Sequence, residues 1–274
     1  MQSVDMIDIH THTIFGDGKD TPEEMAAAAF DKGVTVFGCS EHFPRPESYD
    51  YPTEGFNHEA LASGWFDYVS SVARAKRAWE GRMTLLFGTE VDYLPAERPR
   101  IEAELSAYRF DYLIGSVHMI DTWGFDYNKS EWEGKDVDAI YETYYDIMEE
   151  MVATRLFDIV GHLDLVKVFS PFHPPKRDHT QRARILLRSI KKLDMTVEIN
   201  TGALRKPVGE LSPSPELIRE AVELAIPLTV TSDAHRTDDI AYGFDGVYRM
   251  LRELGVRETI YYVDREPFVV PLPG

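Results

Sequence analysis

Six of the nine histidines in this chain lie where a short apolar run stops. They are His10 and His12 in Asp8-Ile-His-Thr-His12, His42 in Glu41-His42, His118 in Gly115-Ser-Val-His118, His162 in Gly161-His162, and His235 in Ser232-Asp-Ala-His235. Glu90 in Gly88-Thr-Glu90 and Asp233 beside His235 occupy the same kind of place. Imidazole nitrogens and carboxylate oxygens together form the usual ligand set of a hydrolytic divalent metal. One histidine after a strand is more often a satisfied polar residue than a ligand. Core packing does not explain six of them at equivalent places.

Such an array needs elements that bring their ends together. Val4 to Ile9, Val34 to Cys39, Thr84 to Gly88, Tyr112 to Ile114, Ile159 to Val160, Thr196 to Ile199 and Leu228 to Thr231 read as strands, with Thr259 to Val263 a short last one. Helices alternate with them. Thr21-Pro22-Glu23-Glu24 has the form of a capping box with proline at the first helical position, opening a helix through Lys32. Further helices are expected around Glu59 to Glu80, Pro99 to Tyr108, Asp136 to Thr154, Arg182 to Leu193, Pro215 to Leu224 and Phe244 to Leu254. Strict alternation without a break in composition favours an α/β fold, one parallel TIM-like barrel over residues 1–274, with the active site on the rim at the strand C-terminal ends. Phe43 to His58, Asp121 to Glu133 and Phe169 to Asp178 are irregular stretches long enough for binding loops or lids.

Composition narrows the class. Hydrophobic residues make up 43% and charged residues 28% of 274, which is ordinary for a globular protein. There is no span-length apolar run and no basic-then-apolar leader pattern at the start, so a membrane partner or export is not expected. Cys39 is the single cysteine, consistent with a reducing, cytoplasmic setting. With 29 basic and 47 acidic residues the formal charge is −18, which disfavours nucleic acid as a partner. Bound divalent ions would offset that charge locally and admit a small anionic substrate. The sequence leaves the oligomeric state open.

His10-Thr-His-Thr, Asp17-Gly18, Glu41-His42, Glu90, His118, Gly161-His162 and Ser232-Asp-Ala-His235 resemble the motifs of the polymerase-and-histidinol-phosphatase (PHP) superfamily. The resemblance runs from about Asp8 to Tyr248. It implies a distorted (β/α)7 barrel with a trinuclear metal site. Carried over by position, His10, His12, Glu90 and Asp233 would hold one ion. Glu90, His118 and His162 would hold a second, with Glu90 bridging; His42, His235 and Asp17 would hold a third. Gly16-Asp17-Gly18 departs from members that carry a histidine just beyond the His-Thr-His motif. The donor set suits zinc, iron or manganese alike.

Longer runs resemble the histidinol-phosphate phosphatases of the superfamily: Glu198-Ile-Asn-Thr-Gly-Ala-Leu-Arg-Lys-Pro-Val-Gly-Glu210, Gly161-His-Leu-Asp-Leu-Val-Lys167 and Tyr242-Gly-Phe-Asp245. They imply a phosphatase of histidine biosynthesis that hydrolyses histidinol phosphate by a metal-bound hydroxide. Another phosphorylated metabolite, a nucleotide or a phosphotyrosyl protein is the alternative substrate. Asp233, His235 and Arg205 are the expected catalytic residues, with Asp233, His235 or water left as the source of the leaving-group proton. Arg205, whose planar fork suits phosphate oxygens, leads the expected substrate contacts, followed by Lys206, Lys167, Asn200 and Arg236. Glu41 and Asp92 are expected to orient imidazoles. Trp123, Phe125, Tyr127 and Trp132 are expected as a lid or as packing. His58, His173 and His179 read as surface histidines.

Overall fold

The computed structural model describes residues 6–51 and 56–273. Seven parallel strands form one sheet: β1 (Met6–Asp8), β2 (Val34–Cys39), β3 (Thr84–Asp92), β4 (Tyr112–Ser116), β7 (Ile159–Val160), β8 (Thr196–Asn200) and β9 (Leu228–Thr231), in that order. Between β4 and β7 the chain makes a two-strand ribbon, β5 (Met119–Ile120) with β6 (Trp123–Gly124). The Thr11–Ala234 bridge and the hydrogen bond from His12 N to Ala234 O, 2.8 Å, join the first strand's extension to the last. The sheet is a nearly closed, distorted barrel, and its seam is made by the His10–His12 segment itself. The expected start of β1 at Val4 lies outside the described residues.

Helices α1 (Pro22–Asp31), α2 (His58–Trp79), α3 (Arg98–Leu105), α4 (Val137–Thr154), α5 (Thr180–Lys192), α6 (Pro215–Glu223) and α7 (Phe244–Glu253) fill the crossovers. The capping box at α1 is formed: Glu24 N donates to Thr21 Oγ1, and Thr21 N donates to Glu24 Oε2 at 2.8 Å.

Side-chain alternation along each strand divides the core in two. Phe37, Leu85, Leu113 and Val160 pack outward against the helices, whereas their neighbours Val36, Leu86, Ile114 and Ile159 join Ile7, Ile9 and Tyr112 in a separate inner cluster. Tyr112 fills that interior and donates to Ile9 O at 2.6 Å. It fits because Gly88 has no side chain, since a Cβ there would come within 2.2 Å of the ring. A terminal hairpin, β10 (Glu258–Val263) with β11 (Glu266–Pro271), closes the lower end through Tyr262 and Val270. The sequence reading found β10 and missed β11, because Pro267 and Pro271 break a strand pattern. An edge strand tolerates prolines, since one side of its backbone needs no partner.

Candidate metal centre

Strand β3 is longer than its apolar run suggests, and it carries Glu90 and Asp92 up to the rim inside the ladder with β4. Glu90 is the hub. Its Oε2 lies 3.4 Å from His10 Nε2, 3.5 Å from His12 Nε2 and 3.2 Å from His42 Nδ1. Its Oε1 lies 2.8 Å from His162 Nε2 and 3.6 Å from His118 Nε2. Among the described residues, ligand atoms gather within 4.8 Å of one another in the sets His10, His12, Asp233; Glu90, His118, His162; and His12, Asp17, His42, His235. A fourth set adds Asp92 to His42 and His118. The nine expected ligands therefore meet at one place, with His12 drawn toward the set built on Asp17.

The far side of most rings is tied down. His10 Nδ1 meets Glu198 Oε1 at 2.5 Å, His118 Nδ1 meets Asp92 Oδ1 at 2.5 Å, His12 Nδ1 meets Glu41 Oε1 at 3.3 Å, and His235 Nδ1 donates to Asp233 O at 2.9 Å. Such partners fix the tautomer and aim Nε2 inward. Inward, the atoms lack partners. His10 Nε2, His12 Nε2, His42 Nδ1 and Asp17 Oδ1 are buried without a hydrogen bond. His118 Nε2 and His162 Nε2 face each other at 3.2 Å, and both point at Glu90 Oε1, so three potential ligand atoms converge on one point. Buried polar atoms seldom stay unpaired. This donor set fits divalent cations.

The charges agree. Burial alone would push His10 and His12 down, but Glu198, Glu90 and Asp233 hold His10 well above the usual histidine range, and Asp233 and Glu41 raise His12 to about 10. Burial likewise opposes, yet Asp92 and Glu90 raise His118 to about 9. Burial would raise Glu90 and Asp233, but the surrounding histidines, His10 foremost, hold both carboxyls well below their usual range. His42 goes the other way, to about 4, under burial and the neighbouring His12. The carboxylates thus stay ionised, and the pocket attracts positive charge.

Residues 8–202 match the PHP domain family. A protein from Deinococcus radiodurans described as a probable histidinol-phosphatase is 32% identical over 259 residues, covering 93% of this chain and 96% of that protein. The chain belongs to the PHP family. The histidinol-phosphatase of Bacillus subtilis is 28% identical over 259 residues, covering 87% of this chain and 96% of its own. In fold, this PHP chain is similar to the Lactococcus lactis histidinol phosphate phosphatase crystallised with zinc, L-histidinol and phosphate. The TM-score is 0.77 at 18% identity, covering 96% of this chain and 98% of that one.

Local folding accounts for the reach of the PHP ligands. Asp17 comes back to the cluster because Gly16 passes against Glu41, where a Cβ would sit 2.1 Å from Oε1. Asp233 adopts a left-handed backbone, φ 51°. Asn200 Nδ2 donates to its Oδ2 at 3.2 Å, and Arg205 Nη2 donates to the carbonyls of Ser232 and Asp233, both at 2.9 Å. Above the cluster opens a cleft of about 460 Å³ whose lining includes Lys19, Lys206, Tyr51, Phe56, Asp126, Tyr127 and Leu165 as well as the ligands.

Of the cations expected at substrate, Lys206 lines this cleft and Arg205, Lys167 and Arg236 do not. Arg205 braces the Asp233 turn through Nη2, while its Nη1 is buried without a hydrogen bond. Lys167 Nζ is held by Glu210 at 2.7 Å, Leu211 O at 2.7 Å and Asp164 at 2.9 Å. Arg236 points to solvent beside Asp239.

Sequence reasoning passed over Glu198, Lys19 and Arg45. Glu198 is fully buried and accepts from His10 Nδ1, Thr231 Oγ1 and the backbone of His162. Its signal was a carboxylate inside a β-branched strand, which cannot stay there unpaired. Arg45, also buried, donates to Asp92 at 2.9 Å. His179 is no surface residue. It is buried, with Nε2 2.9 Å from Asp138. Trp132 and Phe125 are fully buried packing, joined by Trp132 Nε1 donating to Phe125 O at 2.7 Å, and Tyr127 alone of the four expected lid aromatics reaches the cleft.

Proposed function

We propose that this chain is a histidinol-phosphatase: it hydrolyses L-histidinol phosphate to L-histidinol and phosphate at a centre of two or three divalent metal ions. The carrying observation is the set of buried, inward-aimed and unpartnered imidazole nitrogens around Glu90, in a chain 32% identical to the D. radiodurans relative. The whole chain, residues 1–274, acts as a single domain of this kind, in the cytoplasm. Among the described residues no helix is long and apolar enough to cross a membrane.

The residues assigned to the ions are His10, His12, Glu90 and Asp233; Glu90, His118 and His162; and Asp17, His12, His42 and His235. Divalent ions so held would lower the pKa of a water toward about 7 and offset charge on the phosphoryl oxygens. Zinc, iron and manganese all suit the donors.

The chain's own part is positioning and charge. Lys19 and Lys206 line the cleft and form no ion pair among the described residues, so both are free to meet the outer phosphate oxygens. Arg205 holds the Asp233 turn through Nη2 and keeps Nη1 unpaired. As the P–O bond breaks, the departing alkoxide takes a proton. Asp233 lines the cleft beside the ligand set and is one source, giving up a proton it has taken from the attacking water. Solvent water is the other source, because His235, tied through Nδ1 to Asp233 O and set among the ion ligands through Nε2, has no proton free to give.

The test is phosphate release from a panel of histidinol phosphate, nucleotides and phosphotyrosine by the metal-reconstituted protein. A kcat/KM on histidinol phosphate no higher than on the other members would overturn the assignment in favour of a PHP phosphoesterase with another substrate.

A further inference from the structure

A cleft built for a phosphate dianion has reason to keep carboxylates away from it. Four line this one: Asp17, Glu90, Asp126 and Asp233. Three belong to the clusters of metal-ligating atoms. Asp126 belongs to none of those found among the described residues. Uncompensated, it would repel an anionic substrate at every encounter.

Its setting holds it firmly. Tyr51 Oη donates to Asp126 Oδ1 at 2.6 Å. Tyr51 stacks on Phe56 with ring centroids 5.4 Å apart and lies 5.7 Å from the ring of Tyr127. Beneath, the guanidinium of Arg45 packs 4.8 Å and 4.6 Å from the centres of the Tyr51 and Phe56 rings. Asp92 anchors Arg45 in turn. Asp126 Oδ2 has no hydrogen-bond partner among the described residues. One carboxylate oxygen is thus fixed by a rigid aromatic platform and the other is left for a ligand, in the wall that also carries Tyr51, Phe56 and Tyr127.

We propose that Asp126 is the specificity-determining carboxylate of this cleft, pairing with the cationic end of the substrate, an ammonium or protonated imidazole, while the phosphate lies at the metal cluster. This rests on the phosphatase reading above and adds to it the reason an amino-substituted phosphate monoester is preferred over a neutral one. A charge-assisted hydrogen bond forms only with the cationic substrate, and with a neutral one the repulsion stands alone.

The measurement is the ratio of kcat/KM for histidinol phosphate to kcat/KM for glycerol phosphate, in the reconstituted full chain. Turnover of glycerol phosphate reports the metal centre, so a misfolded or metal-poor variant lowers both numbers and leaves the ratio. We expect Asp126→Asn to lower the ratio about 10- to 100-fold, mainly through KM for the cationic substrate. Asp126→Glu should recover part of it. If Asp126 merely holds Tyr51, then Tyr51→Phe, which removes the hydrogen bond and keeps the carboxylate, will lower the ratio as much as Asp126→Asn, and the proposal fails. An unchanged ratio in Asp126→Asn also overturns it. A ratio near one in the unsubstituted protein overturns the substrate reading instead.

Discussion

The two ends of the barrel are built from the same strands and have opposite characters. At the lower end Ile7, Ile9, Val36, Leu86, Ile114 and Ile159 form an apolar plug, and two tyrosine hydroxyls in it are paired: Tyr112 bonds Ile9 O, and Tyr262 bonds Thr196. One to four residues further along, the same strands deliver His10, His12, Glu90 and His162, which are buried, with His10 Nε2 and His12 Nε2 unpaired. Burying a large aliphatic side chain stabilises by about 1.5–3 kcal/mol, whereas a buried polar atom without a partner costs about 1–3 kcal/mol. The lower end therefore stabilises the fold and lets the upper end hold a destabilised, cation-seeking arrangement in place. Substitutions at the two ends should separate activity from stability.

The largest effect is expected at the hub. Glu90→Gln keeps the shape and removes the charge shared by five histidines, and kcat/KM should fall about 1,000-fold or more with a matching loss of bound metal. Elemental analysis beside phosphate release checks this. Retained metal with full turnover would dissolve the distinction between the two ends.

Removing metal should act on stability through the upper end alone. Stripping the ions with a chelator should lower stability by about 3 kcal/mol when metal had been present at 100 times its dissociation constant, reversibly on re-addition. The metal-free protein should also be sensitive to alkali. His12 at about 10 and His118 at about 9 lie above their ordinary value of 6.5, so the stability they contribute as cations is complete below pH 6.5 and lost as pH rises through 9 to 10. His42 at about 4 has the opposite sign and costs stability as pH falls below 6.5. Thermal unfolding of the chelated protein from pH 6.5 to 10 should show a falling midpoint. A flat profile would mean that the cluster is not held together by charge.

Smaller effects are expected from the residues behind the ligands. Glu198→Gln leaves every ligand in place but weakens the hold on His10 Nδ1, and metal affinity or turnover should drop about 10- to 100-fold. Competition with a metal-sensitive dye separates the two readouts.

How far the sequence can be read follows the same division. The ligands were legible because histidine and acid at strand ends break the β-branched pattern, and strand alternation alone implies that those ends share one rim. The partners of Arg205 and Lys167 were not legible for a physical reason: a cation's position in the chain says which loop carries it, but not which carbonyls or acids across the barrel, such as Asp233 O or Glu210, it meets. Glu198 and Arg45 were passed over because their partners, His10 and Asp92, lie 188 and 47 residues away and meet them only through barrel closure. Asp126 follows Phe125, whose burial under Trp132 orients the loop, and nothing local in the sequence announces that.

The smallest predicted effect tests the lower end alone. Tyr262→Phe removes the hydroxyl that meets Thr196 Oγ1 at 2.7 Å and keeps the ring in the plug. Thr196 then retains a buried hydroxyl without that partner, which should cost about 1 kcal/mol in urea unfolding. Because Tyr262 touches strand starts and no residue of the rim, kcat/KM on the preferred substrate and the bound-metal content should stay at the level of the unsubstituted protein. A loss of turnover out of proportion to the loss of stability would mean that the hairpin end is coupled to the metal end. The barrel would then have to be treated as one cooperative unit in which strain at the plug reaches Glu90 along β3.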